Sequence, residues 1–533
     1  MPKLISILAV MSLAAIFPGE PAPTSLELPR IEDGIVIPSF DGEPIVGTLM
    51  LPADASVTAP VPVVLRTHGW GQRRLREPDP FMQRLLDSGY GLFTWDSRGF
   101  GHSGGEANWG TPDFEVRDAS AVIDYLATRP EIEKELPGDP KLGWIGASNA
   151  GGVQLNTAAA DDRVDAIVPQ HSWGSLLSDL MPNGVYREGW VDRLYWRGLD
   201  GAREDGLESD NPAGPQEGDY AERFHDAHES WNTTGKLSRE LKDWFLERST
   251  IASAPRIAAP TMIVHGAIDT LFPLQGALSV YRELVSAGTP VKLLVYCSGH
   301  TLDGCPYPGG RSGYPNGTGD SRLWEGRIVA WLDRYVQGDD SVATGPRVEW
   351  QGPDGYYYAA PSFPLGGTRY LASAPWRTDA LRGPLGQGGD TATDAGPVPA
   401  DQLGNSATRH RVLGPYASPR PIFGVPKVTV SGRLRGATKG VIQLELVDEA
   451  PDGTRVTVNN QSTPVRLHRG ENSLRVRMAA VAWVLRPGHE LELELTTGSP
   501  MFRADAGEYT VRLRLRARIP VAPARWVSAE ART

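Results

Sequence analysis

The stretch Leu142-Gly143-Trp144-Ile145-Gly146-Ala147-Ser148-Asn149-Ala150-Gly151-Gly152 decides the fold. Residues 142–145 form a short apolar run of strand type, and a helical pattern follows over 149–160. Between them stands a serine flanked by small residues. This is the layout of a nucleophile elbow, in which the serine sits on a tight strand-to-helix turn. Small neighbours are required because the turn brings backbone segments together. The helix N-terminus beyond it offers unpaired N–H groups and a partial positive charge to a developing oxyanion. In the Gly-x-Ser-x-Gly pattern the last position is Ala150 here. A glycine-rich turn holding an incidental serine is the bland alternative, and the strand before and helix after argue against it.

Working outward, the same rhythm repeats. Short apolar runs at 61–66, 91–96, 142–146, 166–169, 262–265 and 291–296 have the length of strands buried on both faces. Amphipathic patterns at 81–88, 114–128, 149–160, 274–287 and 323–336 lie between them. Such alternation predicts an α/β domain with a doubly wound parallel sheet, here assigned to residues 30–345. Residues 172–254 break the rhythm. They contain no strand run and are rich in Trp, Asp, Glu and Arg, so they read as a helical cap inserted over the mouth of a site.

After about residue 345 the period changes to two. Runs at 427–434, 441–447, 472–478, 490–497 and 509–519 alternate apolar and polar residues, as in Leu491, Leu493 and Leu495 between Glu490, Glu492 and Glu494. Strands of this kind bury one face and wet the other, which predicts an all-β jelly roll or sandwich over 346–525. The row Arg512, Arg514 and Arg516 reads as a solvated sheet face, with glutamates opposing it. Residues 366–403 read as irregular loop over the junction.

A serine nucleophile needs a base. In an α/β-hydrolase it arrives in the chain order Ser, then Asp or Glu, then His. Residues 262–265 are a strand that runs on to Asp269, and residues 291–296 are a strand that leads to Ser298-Gly299-His300. The order Ser148, Asp269, His300 is therefore complete. His300 would take the proton of Ser148, and Asp269 would fix its tautomer. His68, His171 and His265 compete, but His300 alone follows the last strand. The oxyanion would be met by the N–H of Asn149 and by that of Trp70, which follows the strand 61–66. Asp96 and His102 lie in a tight turn and read as structural.

Composition narrows the function classes. With 53 Lys and Arg against 64 Asp and Glu, the net charge of −11 has the wrong sign for gripping phosphates, so nucleic acid is not an expected partner. A hydrophobic content of 40% rules out wholesale disorder. Residues 4–17 are an uncharged run behind Lys3, short of the roughly 20 residues of a spanning helix but suited to a secretory signal over 1–23. Export to the exterior or cell envelope is the expectation, with no stable membrane insertion after cleavage. The chain has two cysteines, Cys297 and Cys305, on either side of His300. In an exported protein they can close a short disulfide loop; two unrelated thiols are the alternative. Neither zinc spacing nor any cofactor motif is present, so no metal or organic cofactor is expected.

The chain resembles the cocaine-esterase-like and X-Pro dipeptidyl-peptidase-like serine hydrolases over most of residues 30–520. The residues that carry the resemblance are His68-Gly69-Trp70-Gly71, the turn 96–105, the Ser148 elbow, Asp269-Thr270-Leu271-Phe272-Pro273, Cys297-Ser298-Gly299-His300, Asp452-Gly453 and the stretch 482–489. The resemblance implies an α/β-hydrolase domain with a helical cap joined to a C-terminal jelly roll. Two departures stand out: Asn149 replaces the tyrosine usual after the nucleophile, and Gly69-Trp70 stand where many members place an oxyanion-hole tyrosine. The expected activity is cleavage of an ester or amide in a small-molecule or peptide substrate, through an acyl-enzyme on Ser148. Trp173 and Trp190 are candidate pocket walls. Glu188, Asp179 or Asp192 would bind a free amine if the substrate were an X-Pro dipeptide. Acyl transfer to another nucleophile, or a binding protein on a degenerate hydrolase fold, are the alternatives. Oligomeric state is not legible.

Overall fold

A computed structural model describes residues 28–206, 220–301, 321–352, 356–383, 408–499, 501–503 and 507–526. The N-terminal segment read as a secretory signal lies outside these residues. Among them the first sheet has ten strands: β1 (Arg30–Pro38), β2 (Pro44–Leu51), β3 (Val63–Thr67), β4 (Gly91–Trp95), β5 (Leu142–Ala147), β6 (Ala166–Gln170), β7 (Thr261–Gly266), β8 (Val291–Tyr296), β9 (Val348–Gln351) and β10 (Tyr357–Ala360). Their spatial order is β1-β2-β4-β3-β5-β6-β7-β8-β9-β10. The strands from β4 to β9 pair in parallel, and β1, β2 and β10 are antiparallel additions at the edges. The centre is dry on both faces: Val63, Leu65, Trp144, Ile167 and Leu293 are buried on one, and Val64, Ile145, Val168, Val264 and Leu294 on the other. Each such side chain stabilises the fold by roughly 1.5–3 kcal/mol over leaving it in water.

Chain order reverses between β3 and β5, and the carboxyl ends on either side of such a switch point leave a crevice. The elbow after β5 and the Gly69–Trp70 loop after β3 both open into it. Helices cover the sheet, including α1 (Asn149–Ala158) directly behind the elbow.

Between β6 and β7 the described residues of the insertion are mostly helical, as its strand-free composition predicts. It contains the helices Leu176–Leu180, α2 (Glu188–Gly206), Glu222–Thr234, Arg239–Leu246 and Thr250–Ser253. Trp173, Trp190, Phe224, Trp231, Trp244 and Phe245 are buried together in its core, which packs on Trp70 and Phe272 at the edge of the first sheet's domain.

The second sheet is antiparallel and jelly-roll-like. Its strands include β11 (Thr408–Leu413), β12 (Arg420–Gly424), β13 (Lys427–Glu449), β14 (Arg455–Arg477), β15 (Val481–Leu485), β16 (Glu490–Thr496) and β17 (Tyr509–Val521). On β17, Val511, Leu513 and Leu515 are buried while Arg512, Arg514 and Arg516 are exposed, as period two requires.

Four expectations need correction. Residues 427–434 and 441–447 are parts of one strand, β13, which stays paired with β14 across a register shift near Leu434. Residues 366–383 are not wholly irregular, because Arg369–Ala372, Trp376–Arg377 and Leu381–Gly383 pair with β17. The first sheet runs past residue 345, since β9 and β10 extend it; buried Val348 and Trp350 find their apolar surroundings there. Lastly, the glutamates of β16 pair with Arg409, Arg411 and Arg455 rather than with the 512–516 row, because β16 is flanked by β11 and β13.

Candidate active site

Ser148 sits on the elbow at φ 57° and ψ −120°, a conformation that a residue with a side chain adopts only under constraint. Its N–H is held by Gln170 O at 2.9 Å, and its carbonyl accepts from Gly152 N at 3.2 Å. Crowding explains the small residues. A Cβ on Gly146 would stand 2.7 Å from that of Ala150, and one on Gly152 would meet the Trp173 ring at 2.1 Å. Glycine in a helix costs about 0.5–1 kcal/mol. Here the loss is accepted because the turn cannot close otherwise.

Two later strand ends complete the constellation. His300 Nε2 lies 2.9 Å from Ser148 Oγ, and His300 Nδ1 lies 2.9 Å from Asp269 Oδ2. His300 is held between rings, edge-on to Trp190 at 5.8 Å and to Phe272 at 5.2 Å. Asp269 is wholly buried, and its other oxygen accepts from Leu271 N and Phe272 N at 3.0 and 2.8 Å. Burial works against its charge, yet His300 and His171 facing it hold the carboxyl well below the usual range. The arrangement can take a proton from Ser148 while keeping the carboxylate ionised.

His171 is the partner that chain order does not reveal. It follows β6 with φ 45°, places Nδ1 3.2 Å from Asp269 Oδ2 and Nε2 2.5 Å from the Tyr296 hydroxyl. One tautomer satisfies both contacts: Nδ1–H donates to the carboxylate, and Nε2 accepts from Tyr296. Its signal in the sequence is its place just past a strand's carboxyl end, the rule that locates Asp269 too.

The other histidines are occupied elsewhere. His68 Nδ1 donates to Gly69 O at 2.8 Å and Nε2 accepts from Ser97 N at 2.9 Å, and burial lowers its pKa. Burial pushes His265 down to about 4, and its Nε2 donates to Phe272 O at 2.8 Å. Asp96 accepts from Arg74 N and His102 N at 2.7 and 3.0 Å, locking the turn after β4.

A cavity of about 400 Å³ opens over Ser148 and His300, with Trp70 and Trp190 on its wall. The Trp70 indole N–H donates to Leu194 O at 3.0 Å, so any oxyanion contact from this residue falls to its backbone N–H. Asn149 heads α1, and its side-chain amide is buried with no hydrogen-bond partner among the described residues. Trp190 donates to Thr270 Oγ1 at 2.9 Å and thereby ties the cap to the loop bearing Asp269.

The remaining pocket candidates lie elsewhere. Trp173 is in the cap core and donates to Arg248 O at 2.7 Å. Glu188 is not among the residues lining the cavity. Asp179 is buried, accepts from Gly174 N at 3.3 Å and is pushed up to about 7, chiefly by burial. Asp192 accepts from Tyr186 OH at 3.0 Å and contacts His228. These side chains answer to cap packing rather than to the cavity. Cys297 is buried after β8, its N–H bonded to Gln351 Oε1 at 2.9 Å; Cys305 lies outside the described residues.

The β domain reaches the site as well. Gln461 on β14 donates to Asp269 O at 2.9 Å, and Arg187 of the cap donates to Thr270 O at 2.6 Å. The Asp269 loop is thus clamped from two sides, which sequence reasoning did not anticipate.

Comparison with known proteins agrees with this architecture. Residues 41–302 match the family described as X-Pro dipeptidyl-peptidase (S15 family). An uncharacterized protein of Pseudomonas aeruginosa is 34% identical over 89 residues, which are 16% of this chain and 23% of that protein. An uncharacterized 31.7 kDa protein of Escherichia coli is 30% identical over 128 residues, 24% of this chain and 42% of its own length. The chain therefore spans less than half the length of these curated relatives. Among solved structures, an aminopeptidase from a Thaumarchaeota archaeon of marine sediment superposes with a TM-score of 0.71 at 14% identity, covering 96% of this chain and 99% of its own. A CocE/NonD family hydrolase from Staphylococcus aureus gives 0.65 at 12% identity, with 92% and 93% covered. An α-amino acid ester hydrolase gives 0.66 at 17%, with 94% and 98% covered. At these identities the structural likeness speaks to the fold.

Proposed function

From the match of residues 41–302 to the X-Pro dipeptidyl-peptidase (S15) family, we propose that this serine hydrolase cleaves an ester or amide through an acyl-enzyme on Ser148. The observation that carries the reading is the unbroken relay from Ser148 Oγ through both ring nitrogens of His300 to Asp269, at 2.9 Å for each bond.

In this reading His300 Nε2 accepts the Ser148 proton as Oγ attacks the carbonyl carbon. Asp269 keeps Nδ1 protonated and stabilises the imidazolium. The backbone N–H groups of Asn149 and Trp70 meet the oxyanion. Imidazolium then protonates the departing alkoxide or amine. Water, deprotonated by the same histidine, releases the acid and restores Ser148. The proposal extends to export, supported by the apolar run at 4–17 behind Lys3. It also includes a Cys297–Cys305 bridge bracing the loop that bears His300; two free thiols in native protein, read by mass spectrometry, would refute that part.

A fluorophosphonate probe tests the central claim. It should label the native chain on Ser148 and leave Ser148→Ala unlabelled. No labelling of folded native protein, or equal labelling of the variant, would overturn it.

A further inference from the structure

The cavity over Ser148 is lined by five arginines, Arg66, Arg73, Arg74, Arg193 and Arg197, and by no Asp or Glu among the described residues. This is a cationic wall in a chain of net charge −11, so it runs against the background of the molecule. Not all five are equal. Arg74 is almost wholly buried and ion-paired with buried Asp96 and with Asp33, which makes it a structural group. Arg66 pairs with Asp79 at 2.6 Å at the cavity's edge.

Arg193 and Arg197 differ from these in exposure. They are exposed, stand one turn apart on α2, and share the cavity with Trp190 and Leu194 of the same helix. The guanidinium of Arg193 lies over the Trp190 ring at 5.4 Å, so its stem is supported beside the residue that packs on His300. Arg197 is fixed at its backbone: its carbonyl would be only 2.4 Å from a Cβ on Gly71, at the end of the Trp70 loop. The helix bearing both arginines is thereby held hard against the oxyanion side of the site. The acidic cap residues Glu188, Asp179 and Asp192 are not on the cavity wall.

We propose that the site selects substrates carrying a carboxylate in the acyl or leaving group, with Arg193 and Arg197 receiving that carboxylate while the scissile carbonyl lies at Ser148. This rests on the serine-hydrolase reading and adds the substrate class to it. Guanidinium groups suit the role because their planar N–H fork matches a carboxylate and stays charged throughout the working pH range. A free-amine substrate would instead be repelled by the same wall.

The test uses the full-length protein and two matched ester series. One compares 4-methylumbelliferyl butyrate with the corresponding hemiglutarate and the 4-aminobutyrate. The other compares phenyl butyrate with its 4-carboxyphenyl counterpart. In at least one series kcat/KM should favour the carboxylate by ~10-fold at low salt, with the amine poorest. The preference should shrink several-fold in 0.5 M salt, because exposed charges are screened over about 4–5 Å there. Arg193→Gln with Arg197→Gln should bring the carboxylate-to-neutral ratio near unity. No carboxylate preference in either series, a preference untouched by salt and by the double substitution, or a preference for the amine would overturn the assignment. Fluorophosphonate labelling of Ser148 in the same preparation separates this failure from failure of the hydrolase reading. The salt series on native protein stands even if the double variant does not fold.

Discussion

Replacing Ser148 by alanine and by glycine separates the chemistry of the elbow from its strain. Both substitutions remove Oγ and its bond to His300, so both should lower ester turnover by at least about a thousandfold. Their stabilities should differ. At φ 57° and ψ −120°, alanine keeps the Cβ that makes the conformation costly, by roughly 1–3 kcal/mol. Glycine relieves this but loses about 0.5–1 kcal/mol more in unfolded-chain entropy. The difference leaves Ser148→Gly more stable than Ser148→Ala by about 0.5–2 kcal/mol. The melting entropy of a chain this long makes that about 1 °C per kcal/mol, so the glycine variant should melt about 0.5–2 °C higher. Calorimetry on the two inactive variants, with the native protein as reference, makes the measurement. An alanine variant as stable as the glycine variant, or more so, would mean that the elbow is not strained as described.

Three further outcomes follow from the same geometry. His171→Phe removes one of the two imidazoles on Asp269, so kcat should fall about tenfold or more with KM little changed, and His171→Gln, which keeps an N–H donor, should recover part of it; unchanged kcat in the phenylalanine variant would deny His171 a positioning role. Burial raises Glu445 from 4.5 to about 8, so the folded β domain holds that proton and stability should decline as pH rises from about 4.5 to 8. Glu445→Gln should remove this decline, and denaturant melts at pH 5 and pH 8.5 showing the same slope for both proteins would refute the linkage. Gly71→Ala combines φ 65° with a Cβ 2.4 Å from Arg197 O, so it should destabilise the protein by about 1–3 kcal/mol and raise KM for carboxylate esters; native stability and KM would show that the helix is not braced there.

The sequence by itself determined the parts of this protein that depend on local pattern. Apolar runs of strand length separated by amphipathic helices made the parallel sheet legible, because a strand buried on both faces has no polar side to show. The elbow was readable because its strand, its crowded small residues and its helix are contiguous. Asp269 and His300 were readable because each follows such a strand. Period two over 490–497 and 509–519 exposed the jelly roll for the same reason. What distant segments bring together was decided only in the tertiary structure. β9 and β10 join the catalytic sheet because Val348 and Trp350 find apolar neighbours there, not because their own sequence marks them. His171 reaches Asp269 across 98 residues, and Gln461 reaches it across 192. Glu188, Asp179 and Asp192 looked like receptors for an amine in a cap whose charges could face either way. Packing turned Asp179 and Asp192 toward other partners and left Arg193 and Arg197 on the cavity wall. Helical periodicity tells which residues share a face, but the docking of α2 against Gly71 and Trp70 decides which face looks at Ser148.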